Sequence, residues 1–181
     1  MCPLLRELSK HFLWHPSRVE CFSLMIIGII DSCTVHLKDL AFQIVGTAQH
    51  SSKVHRIYRF LREQVIDYDI VSRFILSLIP HKNYILTMDR SNWKLGNYEV
   101  NILFLGLVIK SVSVPLLWTV IGRPGMSDTW QRKVLLQKAI DIIGIKKIAY
   151  FLADREFMGK EWLCYLHKVV IIYHSILQRP L

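Results

Sequence analysis

Apolar residues recur at intervals of three and four along the first 80 residues, which is the spacing of one face of an α-helix. Residues 19–30 form a nearly continuous apolar run that predicts a buried helix. A second helical face in the following stretch contains Leu37, Leu40, Ala41, Ile44 and Val45. Gly46 and Thr47 interrupt it. We therefore predict a helical region over residues 1–80.

A further helix is predicted over residues 53–64, with Ser51 or Ser52 as its N-cap. Its apolar face contains Val54, Ile57, Tyr58, Leu61 and Val65, and its opposite face contains His55, Arg56, Arg59 and Arg62. An apolar face that packs and a basic face in water suit a helix that rests on DNA phosphates. The order of helix, short break and basic second helix resembles a helix-turn-helix motif. A charge run of this kind is also typical of an ordinary solvated face.

The periodicity changes after residue 83. Three short runs rich in β-branched and aromatic residues follow, over residues 84–88, 100–109 and 112–121. The pairs Gly96-Asn97 and Lys110-Ser111 are suited to the turns between them. These features predict three consecutive strands in an antiparallel meander.

Helices and strands alternate in the remainder of the chain. After an interruption at residues 122–125, Ser127 or Asp128 can cap a helix that Gly144 stops. A strand over residues 147–153, a helix over 160–168 and a strand over 169–173 complete the pattern. The order β-β-β-α-β-α-β predicts an α/β (α+β) chain in which a helical N-terminal region precedes a partial RNase H-like domain over residues 81–181.

Two aspartates follow apolar, strand-like leads. Asp89 comes after the first predicted strand and Asp154 after the fourth. In an RNase H-like fold these two strands are neighbours, so their carboxyl ends would bring the two aspartates together. Two carboxylates from strand ends can share a divalent cation. We therefore predict that Asp89 and Asp154 are metal ligands and catalytic residues.

The charge of the chain favours an anionic partner. The formal net charge is +9, while 52% of residues are hydrophobic, so the chain can build a core and still attract nucleic acid. No apolar stretch reaches the roughly 20 residues of a membrane span, and the N-terminus lacks a signal-peptide pattern. The four cysteines show no metal-binding spacing. We expect a cytoplasmic protein with reduced thiols and no membrane partner.

Two motifs resemble those of DDE-class insertion-sequence transposases of the IS-four-like group. The first is Leu86-Thr87-Met88-Asp89-Arg90-Ser91-Asn92-Trp93-Lys94. The second is Ala153-Asp154-Arg155-Glu156-Phe157, followed by Gly159-Lys160-Glu161-Trp162. The segment Pro115-Leu116-Leu117-Trp118 resembles the hairpin of that group, and Arg56, Arg59, Phe60 and Leu61 resemble its basic N-terminal segment.

The resemblance implies strand cleavage and transfer in DNA transposition. In that family two divalent cations, usually Mg²⁺ and otherwise Mn²⁺, are held by three carboxylates, and Asp89 and Asp154 match the first two. Arg90 and Arg155 would orient those carboxylates or face phosphate. The implied partner is the DNA of the element ends, bound by a homodimer or a synaptic complex.

One family feature has no counterpart here. The third carboxylate of the family comes from a helix after the fifth strand, and no such motif follows Tyr173-His174-Ser175. The resemblance implies that Glu156 belongs to the second motif without being the third ligand. We therefore expect a C-terminally truncated form that lacks the last catalytic helix and is inactive alone.

Two alternatives remain. One is a non-catalytic DNA-binding remnant of a transposase, which would bind element ends without cutting them. The other is a ribonuclease or resolvase that shares the fold, which the flanking motifs disfavour.

Overall fold

The computed structural model of the chain describes residues 2–80, 83–121, 127–157, 159–169 and 172–175. The chain forms two compact units, Met1–Ile70 and Val71–Leu181. The predicted interruption at residues 122–125 and the sequence after residue 175 lie outside the described residues. The functional division into a DNA-binding region over 1–80 and a catalytic domain over 81–181 stays a prediction.

The first unit is helical, as the periodicity predicts. Its helices are α1 (Pro3–His11), α2 (Pro16–Ser32), α3 (Leu37–Gln43) and α4 (His50–Glu63). Helix α2 begins with a proline whose missing N–H is not needed there, and the Nδ1 atom of His15 accepts a hydrogen bond from the Ser17 backbone. No single described helix has the length and apolar content of a membrane span, whereas α2 and α3 would pass that test as a pair bent by 99°.

Two predicted features of α4 are wrong. The helix begins after Gln49, so Ser51 and Ser52 lie in its first turn and are not the N-cap. Its buried side chains are Ile57 and Phe60, not the full predicted stripe. The other members of that stripe include Tyr58, Leu61 and Val65, which are all largely exposed.

Aromatic packing explains why Phe60 is buried. Its ring stacks on Phe22 with centroids 5.8 Å apart and meets the edge of Trp14 at 5.9 Å. Ile57 and Phe60 are three residues apart and therefore share a helix face. The aromatic cluster turns that face inward and leaves Tyr58 and Leu61 at its margin.

The second unit begins within α5 (Tyr68–Leu78) and contains a sheet of five strands. Its remaining elements are β1 (Tyr84–Leu95), β2 (Tyr98–Ile109), β3 (Val112–Ile121), α6 (Thr129–Ile143), β4 (Ile148–Ala153), α7 (Lys160–Lys168) and β5 (Ile172–Ser175). The strand order is β3-β2-β1-β4-β5, with β1, β2 and β3 antiparallel and β1, β4 and β5 parallel. The fold is RNase H-like, as predicted.

Local sequence signals place the connections of this sheet as predicted. Gly96 and Lys110 adopt positive φ angles of 61° and 57° in the two hairpin turns. Asp128 and Gln131 form a reciprocal capping box at the start of α6, and Gly144 ends that helix with φ of 86°. The fifth strand is β5, beginning at Ile172 and ending two residues later than predicted.

The sheet packs one face against α6 and α7. The fully buried side chains of this core include Leu86, Met88, Leu103, Leu105, Phe151, Leu136, Ala139 and Trp162. The Phe151 ring meets Trp162 edge-on at 5.7 Å. This packing fixes the strands that carry the two aspartates.

A β-bulge interrupts the pairing of β2 with β3. The register shifts between Leu105 and Gly106, and the unpaired residue on β3 is Leu116. The buried Ser72 hydroxyl of α5 donates a hydrogen bond of 2.8 Å to the Leu116 carbonyl. A side chain at Gly106 would lie 3.0 Å from the Val114 carbonyl, so glycine permits the close approach of the two strands.

We predict that Ser72→Ala destabilises the chain by about 1–3 kcal/mol, because the buried Leu116 carbonyl loses its hydroxyl donor. Urea unfolding followed by circular dichroism measures this change. Ser9→Ala is the matched control. The Ser9 hydroxyl likewise donates to a backbone carbonyl, that of Leu5 in α1, but it is exposed. Equal costs for the two substitutions would contradict the role of Ser72 at the bulge.

Candidate functional site

The parallel pairing of β1 with β4 brings the two aspartate motifs together. Met88 on β1 is the register partner of Ala153 on β4, and both are buried. Asp89 and Asp154 are the next residue on each chain segment. Since paired strands lie about 4.8 Å apart, the two aspartates occupy adjacent backbone positions at the carboxyl edge of this pair.

The two carboxylates have the same local geometry. The Oδ1 atom of Asp89 accepts a hydrogen bond of 2.7 Å from the Arg90 backbone N–H. The Oδ1 atom of Asp154 accepts one of 2.6 Å from the Arg155 backbone N–H. Asp89 is exposed and Asp154 is partly exposed, so solvent and ligands reach both groups. Each carboxylate is thereby oriented by its own motif while keeping a second oxygen for another partner.

The position of Asp89 differs from the prediction in one respect. It was expected to end its strand, but β1 continues to Leu95, paired with β2. Only the pairing with β4 ends at Met88. The sequence suggested a strand end because burial stops there. The hairpin becomes a two-stranded ribbon only beyond Asn92, where Trp93 is exposed.

An ion pair joins the two motifs. The Arg90 guanidinium donates two hydrogen bonds to the Glu156 carboxylate, from Nε at 3.2 Å and from an Nη atom at 3.0 Å. The Arg90 side chain is 15% exposed and that of Glu156 is 29% exposed. The hydrogen bond to Glu156 raises the pKa of Arg90. This two-pronged contact links β1 to the turn after β4.

A second arginine supports the same turn from α6. Arg132 is buried, and its guanidinium donates to the Ser127 hydroxyl at 2.8 Å and to the Ser127 carbonyl at 2.6 Å. It lies 5.0 Å from the ring centroid of Phe157, over the last residue of the turn that carries Glu156. Burial lowers the pKa of Arg132, and the charge of Glu156 opposes that shift. The sequence analysis did not single out this residue, because an arginine on a helix is usually exposed.

The predicted roles of Arg90 and Arg155 are separated by the structure. The Arg90 side chain contacts Glu156 and, at 3.1 Å, the Asn92 Oδ1 atom. Arg155 is exposed, and only its backbone N–H is recorded in contact with an aspartate. Both arginines therefore orient carboxylates through their backbone, and the Arg90 side chain ties the motifs to each other.

Both oxygens of the Glu156 carboxylate accept hydrogen bonds from Arg90. In the part of the chain that the structure describes, no group of three or more His, Cys, Asp or Glu side chains is arranged to hold a metal ion. Asp89 and Asp154 thus form a pair without a third carboxylate among the described residues. Their role as metal ligands stays a prediction.

The three arginines predicted to bind DNA lie on α4 of the first unit. Arg59 and Arg62 are exposed. Arg56 is half-buried and donates to the Glu20 carboxylate at 2.6 Å and to the Ser17 carbonyl at 3.2 Å. Their binding of DNA is not tested by the structure and stays a prediction.

Comparison with known proteins gives matches to structures only. No family model matches the sequence, and neither does any curated protein. The chain is similar to the HTLV-2 integrase catalytic core domain in complex with magnesium, at 13% identity and a TM-score of 0.41, over 53% of this chain and 62% of that one. It is also similar to a chain of the simian T-cell lymphotropic virus intasome in complex with the PP2A regulatory subunit B56 gamma. The identity is 11% and the TM-score 0.42, over 76% of this chain and 46% of that one. The strand order described above, and not these likenesses, identifies the fold.

We predict a measurable coupling between Arg90 and Glu156. Arg90→Met and Glu156→Gln should each cost about 1–3 kcal/mol of unfolding free energy, because each leaves the other group without its charged partner. The double variant should cost less than the two single costs added together, with a coupling of about 1 kcal/mol or more.

The control cycle uses Lys133 and Glu161, a pair 2.6 Å apart whose carboxylate is 71% exposed. Its coupling should stay below about 1 kcal/mol. Additive costs for Arg90 and Glu156 would show that the contact does not join the two motifs energetically.

Proposed function

We propose that this chain is a DDE-type transposase that binds DNA at element ends and takes part in metal-dependent strand cleavage and transfer. The observation that carries the proposal is the register of β1 with β4, which brings Asp89 and Asp154 to adjacent positions on an RNase H-like sheet. The positive charge of the chain supports a polyanionic substrate.

The aspartate pair suits a hard divalent cation such as Mg²⁺ or Mn²⁺. Both groups are accessible carboxylates, the ligand type that these ions prefer, and each has one oxygen oriented by a backbone N–H. Asp89 and Asp154 would hold the ion through the remaining oxygens. A bound cation at such a site polarises a phosphoryl oxygen and generates a nucleophile near neutral pH.

The neighbouring residues of this chain position the pair. The Arg90–Glu156 contact fixes the turn after β4 against β1. Arg132 of α6 supports the same turn through its contact with the Phe157 ring. Exposed Arg155 next to Asp154 supplies positive charge where a phosphate would approach. Arg155 would bind and orient the DNA backbone, and it would not transfer protons, since arginine stays charged.

A second function, a DNA-binding protein without chemistry, is favoured by one observation. The described residues contain no third acidic ligand beside the pair, and Glu156 is occupied by Arg90. Two carboxylates can hold one cation weakly, but in a two-metal reaction the second ion would be poorly held. A chain of this kind would occupy element ends and compete with an active enzyme.

The metal site can be tested without activity. We expect Mn²⁺ to bind the purified chain weakly, as followed by electron paramagnetic resonance. Asp89→Asn and Asp154→Asn should each weaken that binding by at least about tenfold, because a direct ligand is lost. Asp141→Asn removes a carboxylate from α6 and is the matched control. An unchanged Mn²⁺ affinity in both site variants would exclude the proposed ligand pair.

The two functions differ in cleavage. We expect no detectable cutting of element-end DNA by the purified chain with Mg²⁺ or Mn²⁺, since misplaced reacting groups alone cost on the order of 10²-fold in rate. A gel assay with labelled ends measures this. Cleavage that requires metal and is lost in Asp154→Ala would instead establish this chain as a working enzyme.

DNA binding by α4 is a separate prediction. Replacing Arg56, Arg59 and Arg62 by alanine should weaken binding of duplex DNA and flatten its salt dependence, by a slope of roughly 1 for each lost phosphate contact. Fluorescence anisotropy across a range of salt concentrations gives the slope. Equal affinity and an unchanged slope in the triple variant would remove α4 from the DNA interface.

A further inference from the structure

A pocket of about 280 Å³ lies within the first unit, between α2 and α4. Its lining residues are Ser17, Arg18 and Cys21 from α2 and Arg56 and Arg59 from α4. A pocket of this size has room for a phosphate group with its ester oxygens. Three of the five lining side chains carry a guanidinium group.

The charges around the pocket are not balanced. Arg18 pairs with Glu63 at 2.9 Å, and Arg56 pairs with Glu20 at 2.6 Å. Glu63 also pairs with Arg62, at 2.9 Å, so a single carboxylate serves two arginines. Within the part of the chain that the structure describes, Arg59 forms no ion pair, and it is exposed at the rim. The three lining arginines and the two glutamates leave an excess of one positive charge, and Arg62 adds another outside the pocket.

The remaining lining groups add polarity without adding negative charge. Burial raises the pKa of the Cys21 thiol, which keeps the thiol neutral at the floor of the pocket. The Ser17 hydroxyl lies 2.8 Å from the Nδ1 atom of His15. Helix α2 has no acidic residue in its first turn, so its positive end, where Ser17 and Arg18 lie, is not compensated by a carboxylate of its own.

The guanidinium groups keep donors for a ligand. Each arginine has five N–H groups, and the ion pair of Arg18 with Glu63 and the two contacts of Arg56 use only some of them. The two existing ion pairs hold these arginines at the pocket before any ligand arrives. Preordered guanidiniums lose little conformational entropy on binding, and they match the geometry of phosphate oxygens.

The geometry points to a binding site for one phosphate group, held by Arg18, Arg56 and Arg59. The inference rests on the proposed DNA-binding role of the first unit. It changes the set of residues that would contact phosphate, because it adds Arg18 from α2 and places Arg62 outside the site. The shared chemistry is a phosphate group, which either the backbone of duplex DNA or free inorganic phosphate can supply.

The test compares Arg59→Gln with Arg62→Gln. Both replace an exposed arginine of α4, but only Arg59 lines the pocket. Arg59 also forms no ion pair among the described residues, so its loss should leave the fold intact, which circular dichroism verifies. Arg18→Gln is the second pocket variant. Binding of a short random-sequence duplex is followed by fluorescence anisotropy, and binding of inorganic phosphate by calorimetry at constant ionic strength.

We expect Arg59→Gln and Arg18→Gln each to weaken binding about tenfold, as expected for the loss of one charge-assisted hydrogen bond. With DNA as the ligand, each should lower the salt slope by roughly 1, and Arg62→Gln should lower it less. If only inorganic phosphate shows this pattern, the site is for free phosphate. If Arg62→Gln weakens DNA binding as much as Arg59→Gln, while Arg18→Gln has no effect on either ligand, the pocket is excluded and the DNA-binding helix stands.

Discussion

The parallel pairing of β1 with β4 determines which residues meet at the carboxyl edge of the sheet. Its register puts Met88 beside Ala153, and the residues that follow are the two aspartates. Side chains alternate between the faces of a strand, so a slip of one residue would bury Asp89 and expose Met88. The packing of Met88, Phe151 and Trp162 in one core makes that slip costly. The site thus depends on hydrophobic contacts one residue away from it.

Electrostatic contacts position the turn that follows β4, beyond the residues that the strand register fixes. The pairing of strands ends at Ala153, and the backbone then enters a short turn, Arg155–Phe157, that the sheet no longer constrains. The Arg90–Glu156 contact and the buried Arg132 hold that turn from two sides. Partly buried, bidentate contacts of this type constrain geometry better than exposed pairs, in which solvent screens the charges. The positions of the candidate metal ligands therefore depend on an acidic neighbour, Glu156, that is paired with an arginine.

Much of the second unit could be predicted because its local signals agree with its fold. Gly96, Asp128 and Gly144 mark turns and helix ends through backbone chemistry that needs no tertiary information. In the first unit, local sequence signals are not sufficient to predict the packing. Helix α4 contains two overlapping apolar stripes, and its sequence alone cannot decide which stripe faces the core. The aromatic cluster around Phe60 decides it. The arginine pocket was missed for the same reason, because Arg18 and Arg59 belong to different helices.

The hairpin of β1 and β2 extends beyond the last residue paired with β4. From Asp89 to Asn92 it still belongs to a three-stranded sheet with β3. Only its outermost pairs, from Trp93↔Val100 to Leu95↔Tyr98, form a two-stranded ribbon, in which Trp93 and Tyr98 are exposed. Two-stranded ribbons of this kind are marginally stable on their own. The amide protons of the ribbon should exchange with solvent through local opening, whereas the amide protons of the inner sheet should exchange only when the protein unfolds globally. The two-stranded ribbon begins at Trp93, four residues after Asp89 on the same strand, so one of the two aspartates is anchored in the rigid sheet and is joined by a single strand to a segment that can change its shape.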